Sequence, residues 1–236
     1  QAAKIADIPA DTTKRPVETA GVIGAGTMGA GIAVCFADAG IPVTIVEQDR
    51  ERLDAGLANI RRSYEAMRDK GRLAPETAEA RLASITGSVA MRDLGAADVV
   101  VEAVFEAMDV KREVFAQLDA ICKPGAILAT NTSTLDVNEI AAATGRPADV
   151  IGLHFFSPAD INPLVEVVRG EATSDEALAL AQEYVGAMGK TALTCRDANG
   201  FAVNRFFCPY TNEACRIADE GLATTGQIDL VARQRH

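Results

Sequence analysis

The sequence predicts an α/β fold: a doubly wound, mostly parallel sheet over residues 17–198, followed from 199 by the start of an all-α region that stops early. Three observations carry this. From residue 19 onward, short apolar runs alternate with stretches of helical spacing, the order that builds a right-handed sheet with helices on both faces. The run "ADVVVEAV" (97–104) is continuous rather than alternating, as a strand covered on both sides should be. The first strand–helix junction, "GVIGAGTMGAGIA", carries glycines at 24, 26 and 29.

The first apolar run, 19–23, ends at the glycine turn, and a helix is expected over 27–39. "PVTIVE" (42–47) is the second strand, followed by a long charged helix over 50–72 and a shorter one over 76–84. "ITGSV" (85–89) and 97–104 are strands three and four, and "MDVKREVFAQLDAIC" (108–122) has the spacing of an amphipathic helix. "GAILAT" (125–130), a short helix over 136–144 and "DVIGLHF" (149–155) come next. "NPLVEVV" (162–168) alternates, so Leu164, Glu166 and Val168 share one face. The short connection "FFSPADIN" lets that strand fold back beside the sixth. A helix over 173–189 and a strand at 190–195 complete the sheet, and helical spacing resumes over 199–221. Residues 1–16, rich in Pro, Thr, Lys and Asp, read as linker rather than as a signal peptide.

A chain of 236 residues holds one full domain, or one and part of a second. Its net charge of −10 argues against a nucleic-acid partner, which needs a basic face. No apolar run approaches the roughly 20 residues of a membrane span. The five cysteines are scattered, with no CxxC and no metal-type His/Cys grouping, so they read as small buried hydrophobes in a reducing compartment and no metal is expected. Arginine outnumbers lysine 17 to 6, a hint of a GC-rich bacterial source and a cytoplasmic setting.

Gly24, Gly26 and Gly29 form a GxGxxG directly after a strand and at the start of a helix. The first glycine makes the tight turn, the second admits a pyrophosphate to the backbone, and the third lets helix and strand pack closely. Thr27 and Met28 open the helix whose N–H groups would face the phosphates. Glu47, at the end of the second strand and followed by Gln48, can accept hydrogen bonds from ribose hydroxyls. It would repel a 2′-phosphate, so NAD is favoured over NADP, although Arg50 close by leaves NADP open and FAD is the other alternative. Ligands of open α/β sheets lie beyond the carboxyl ends of the strands. That rule selects Ala103, Glu106 and Lys111 after strand four, Asn131, Thr132 and Ser133 after strand five, and His154 after strand six.

The chain has two histidines, His154 and the last residue, His236. An imidazole at the sixth strand end suits proton transfer near neutral pH. Glu166, a carboxyl group in an apolar strand, is costly to bury without a partner, and His154 is the natural one.

The motifs "GVIGAGTMGAGIA", "VVEAVFE", "NTSTL", "GLHFFSPA", "LVEVV" and "NGFAVNR", in that order, resemble the 3-hydroxyacyl-CoA dehydrogenase family of fatty-acid β-oxidation from residue 17 to the end. The resemblance implies a Rossmann-type NAD-binding domain and NAD-linked oxidation of an (S)-3-hydroxyacyl-CoA to a 3-ketoacyl-CoA. It implies His154 as the base, Glu166 as its partner, and Ser133 and Asn204 as hydrogen-bond donors to the substrate oxygen. It places cofactor contacts on Glu47, Ala103, Glu106, Lys111, Asn131, Ser133 and Ser157, and CoA contacts on Ser63 and Lys70. Arg61, Arg62, Arg68, Lys70 and Arg72 line the same helix and could meet CoA phosphates. Ser157 stands where many members have asparagine, which implies a weaker contact. Family members continue into a larger helical domain that forms the dimer, so the chain reads as the dehydrogenase core of a longer, multifunctional β-oxidation protein, a homodimer or part of a multienzyme complex. The residues alone also fit an NAD dehydrogenase of a non-CoA hydroxy acid, or an NAD-binding module without turnover.

Overall fold

The structure is a computed structural model that describes residue 12 and residues 17–234; the linker expected over 1–16, Thr12 apart, and His236 lie outside the described residues. The chain divides into two compact units, one through Asn199 and one from Gly200.

The first unit is built on strands β1 (Ala20–Ile23), β2 (Val43–Val46), β3 (Ile85–Ser88), β4 (Val99–Glu102), β5 (Ile127–Thr130), β6 (Val150–Phe155), β7 (Leu164–Arg169) and β8 (Thr191–Arg196). They form one sheet in the order β3-β2-β1-β4-β5-β6-β7-β8. The strands from β3 to β6 run parallel, joined by helical crossovers, and β1 lies between β2 and β4. The strand order therefore reverses at β1, which opens a crevice at the carboxyl ends of β1 and β4. β7 turns back antiparallel to β6, and β8 runs parallel to β7.

The helices are α1 (Thr27–Asp38), α2 (Arg50–Asp69), α3 (Pro75–Ala83), α4 (Met108–Ile121), α5 (Val137–Ala141) and α6 (Asp175–Ala187). Strand residues alternate between two cores. Val22, Val101, Ala129 and Ile151 pack with Ile32 and Phe36 of α1, Leu53, Ile60 and Tyr64 of α2 and Leu178 of α6. Ile23, Val100, Leu128 and Val150 pack with Phe115 and Leu118 of α4 and Ile140 of α5. Covering on both faces explains the continuous apolar runs of the central strands.

The expected boundaries shift where a cap or turn intervenes. The long helix ends at Asp69, and Gly71 takes a left-handed φ of 66° just beyond it. The strand placed at 97–104 is ordered as strand only over Val99–Glu102. The helix placed at 136–144 is one short turn capped by the Asp136 carboxylate, and the helix placed at 173–189 starts after Ser174, whose hydroxyl accepts from Ala177 N–H. The seventh strand begins at Leu164, after Pro163, with Asn162 Oδ1 accepting its N–H at 3.1 Å. Two 3₁₀ turns, Met91–Leu94 and Pro147–Asp149, were not expected.

The second unit contains α7 (Val203–Asp219) and α8 (Thr225–Gln234). The helix expected from residue 199 starts later because Gly200 and Phe201 both have positive φ, 78° and 48°. Between α7 and α8 lies an apolar cleft of about 410 Å³ lined by Tyr210, Ala214, Ile217, Leu222, Ile228 and Val231. Cys208 and Cys215 are exposed on α7, against the expectation of buried thiols. Cys35 and Cys122 are buried, and burial pushes each thiol up to about 11, so both stay protonated at neutral pH.

Candidate active site

The glycine turn has the shape a pyrophosphate requires. Gly24 has a φ of 99°, and a Cβ there would stand 2.6 Å from Ala103 O. A Cβ on Gly29 would stand 1.9 Å from Gly24 O, so α1 can approach β1 only with glycine at this position. A Cβ on Gly26 would meet nothing within 4 Å, and Gly26 and Thr27 are exposed. Helices α2, α5 and α6 are capped by Asp49, Asp136 and Ser174; α1 has no side-chain cap and no acidic residue in its first turn. With the exposed Gly26 ahead of it, this uncapped N-terminus fits an anion. Glu47 lies at the tip of β2, where its carboxylate receives Ala25 N–H at 3.4 Å and Asp49 N–H at 3.3 Å. Gln48 beside it is exposed, and Met28 is half-buried in the first turn of α1. These residues fit the adenosine and diphosphate portions of NAD.

A polar network lies one step along the sheet. Glu102, the last residue of β4, is fully buried. It accepts from Thr130 Oγ1 at 2.7 Å, from Val104 N at 2.8 Å and from Lys111 Nζ at 2.7 and 2.9 Å. The Lys111 ammonium, 1% exposed, also stands 3.2 Å from Glu106. Glu106 accepts the Thr132 hydroxyl and, at 2.8 Å, the Ser133 N–H. Burial pushes the Glu106 carboxyl up, but the Thr132 hydroxyl, the Lys111 ammonium and the Ser133 N–H outweigh it and hold the group below its usual range. Asn131 Oδ1 accepts Phe155 N–H at 2.9 Å, tying the end of β5 to β6.

His154 is the fifth of six residues in β6 and lies opposite Glu166 in the antiparallel register of β6 and β7. Its Nδ1 is 2.8 Å from Glu166 Oε2, with His154 5% exposed and Glu166 fully buried. It sits inside the strand rather than after it, but β6 outruns β5. Thr130, the last residue of β5, pairs with Gly152, so His154 rises past the level at which β5 ends. The Phe156 ring packs against the imidazole at a centroid distance of 4.4 Å. Strand alternation puts Glu102, Thr130, His154 and Glu166 on the sheet face covered by α4 and α5.

The structure thus gathers Ala103, Glu106, Lys111, Asn131, Thr132, Ser133 and His154 at neighbouring strand ends. Ser157 is exposed in the loop that follows β6. Ser63 lies on the far part of α2 and Lys70 caps its C-terminus, about 20 and 30 Å along the axis from Arg50. Two basic neighbours are engaged locally: Arg62 with Asn59 and Arg68 with Asp69. Asn204 belongs to the first turn of α7 in the second unit. Glu102 escaped the sequence reading, although a glutamate closing "VVVE" is the same signal that singled out Glu166. Among the described residues no group of three or more His, Cys, Asp or Glu could hold a metal ion. No helix among them is long and apolar enough to cross a membrane.

Comparison with known proteins identifies the family. Residues 19–198 match the NAD binding domain of 3-hydroxyacyl-CoA dehydrogenase, and residues 200–236 match the C-terminal domain of the same family. A probable 3-hydroxybutyryl-CoA dehydrogenase of Deinococcus radiodurans is 43% identical over 215 residues, which are 90% of this chain and 76% of that protein. The human peroxisomal bifunctional enzyme is 42% identical over 93% of this chain, which spans 30% of that protein. The crystal structure of (S)-3-hydroxybutyryl-CoA dehydrogenase from Ralstonia eutropha superimposes with a TM-score of 0.87 at 37% identity, over 90% of this chain and 75% of that one. With the glycine turn, the strand-end network and the two family domains in sequence, the chain belongs to the 3-hydroxyacyl-CoA dehydrogenase family.

Proposed function

We propose that the protein oxidises an (S)-3-hydroxyacyl-CoA to the 3-ketoacyl-CoA in fatty-acid β-oxidation. The observation that carries this reading is the buried His154–Glu166 pair at the cofactor edge of the sheet. NAD supplies the acceptor for the hydride that leaves C3 of the substrate. His154 donates its Nδ1 hydrogen to Glu166, which makes Nε2 the basic nitrogen. Nε2 takes the proton of the 3-hydroxyl, and the Glu166 carboxylate stabilises the imidazolium that results. Ser133 holds the oxygen as it becomes a carbonyl. Asn204 is assigned to the same oxygen by family resemblance. Ser63 and Lys70 are assigned to the CoA moiety.

The test is His154→Gln. It should lower kcat for NADH oxidation with acetoacetyl-CoA on the order of a thousandfold while NADH affinity, read by nicotinamide fluorescence, stays near wild type. A variant retaining more than about a tenth of wild-type activity would remove His154 as the base.

We also infer a homodimer or a multienzyme assembly. The exposed Phe206, Phe207 and Tyr210 of α7 and Leu230 and Val231 of α8 supply the kind of apolar surface that protein partners cover. A cytoplasmic location is proposed from the arginine excess over lysine, which suggests a bacterial source, and from the bacterial relatives.

A further inference from the structure

We propose that Glu102, acting through Lys111 and Glu106, is a positioning residue for Ser133, an inference that rests on the reaction proposed above. Burying two charges is costly, and an apolar pair of similar volume often serves stability as well. What an apolar pair cannot do is hold a third group. Glu102 closes β4 with four hydrogen bonds on its two oxygens, and two of these fix the Lys111 ammonium. The ammonium then has one further carboxylate within reach, that of Glu106, at 3.2 Å. Glu106 is itself in a loop and 38% exposed, so nothing in its own burial holds it in place. It nevertheless carries the Ser133 N–H at 2.8 Å and the Thr132 hydroxyl, which in turn receives Leu135 N–H at 2.9 Å. The loop that presents the Ser133 hydroxyl is therefore hung from a half-exposed carboxylate, and that carboxylate is held by a buried cation whose position Glu102 sets. The loops after β4 and β5 are tied to each other through this relay. A displacement of about 1 Å at a group that aligns the reacting atoms can cost about a hundredfold in rate.

The test uses Glu102→Gln, which leaves Lys111, an expected cofactor contact, in place. Val104 N–H and the Thr130 hydroxyl reach different oxygens of Glu102, so the amide oxygen keeps the Val104 bond, the amide NH₂ meets the Thr130 hydroxyl, and the two-oxygen hold on the Lys111 ammonium is lost. Amide hydrogen exchange reads the tether directly, and steady-state kinetics with acetoacetyl-CoA and NADH read its consequence. The expected result is exchange at the Ser133 amide at least about tenfold faster than wild type, with the Val100 amide of β4 still protected. With it comes a fall in kcat of at least about tenfold, while NADH Kd and substrate KM stay within about threefold. Unchanged exchange at Ser133, or a folded variant with kcat within about threefold of wild type, would overturn the proposal. So would an NADH Kd that weakens in step with kcat, since Glu102 would then act by placing Lys111 on the cofactor rather than through Ser133. If Glu102→Gln does not melt cooperatively, Glu102→Asp, which draws the carboxylate back by one methylene, is measured in the same way and judged by the same outcomes. A wild-type protein that fails to turn over acetoacetyl-CoA refutes the reaction, whereas the exchange measurement still decides the tether.

Discussion

Glu166 sits between Val165 and Val167 with no exposed surface, an environment that penalises a carboxylate unless a donor faces it. His154 Nδ1 at 2.8 Å is that donor, and the register of β6 and β7 makes the meeting obligatory. This pair was legible in the sequence because one glutamate interrupted an apolar alternation and one histidine lay a short loop away. Glu102 was less legible: its partners Thr130 and Lys111 come from other elements, and no local pattern announces them. Glu166→Gln tests the pair at this scale. An amide can present either its oxygen or its NH₂ to Nδ1, so the tautomer is no longer enforced and the imidazolium loses its counter-charge. The expected outcome is a fall in kcat of about a hundredfold or more with NADH affinity unchanged; a loss confined to thermal stability would assign Glu166 a purely structural place.

At the scale of elements, strand and helix order was readable from alternation and from the glycine turn, while ends depended on single side chains. Asp136 and Ser174 cap α5 and α6 and so set starts that apolar spacing alone leaves open. The packing of helices on one another was not legible at all. Gly56 of α2 lies against the glycine turn, where a Cβ would stand 2.4 Å from Ala25 O, yet nothing in "RERLDAGLANI" marks it as a contact. Gly29→Ala decides which effect governs α1. Helix propensity favours alanine by about 1 kcal/mol. A Cβ 1.9 Å from the Gly24 carbonyl oxygen forces helix and strand apart, an overpacking cost of about 1–3 kcal/mol. The contact involves backbone, which cannot swing away, so it wins. The variant should be destabilised in a melting experiment and bind NADH at least about tenfold more weakly, because the turn that receives the diphosphate moves with it. Equal or tighter NADH binding would mean that the close approach of α1 is not needed.

Over the whole molecule, composition excluded more than it identified. A net charge of −10 argued against nucleic acid, and the absence of long apolar runs agrees with helices too short or too polar to span a membrane among the described residues. The sheet order, with its reversal at β1, brings Gly24, Glu102, Ser133 and His154 to one edge although they are spread over 131 positions of sequence. Only the family resemblance added a substrate class, because no motif in the chain is by itself specific for CoA. Binding energy from the remote CoA portion should be expressed in turnover. The most direct test is NADH oxidation with acetoacetyl-CoA and with free acetoacetate, in the wild type and in His154→Gln. The expected result is turnover of acetoacetyl-CoA with a kcat/KM at least about a hundredfold above that of acetoacetate, and its loss in the variant. Equal use of the two substrates, or turnover that survives without His154, would contradict the proposed reaction.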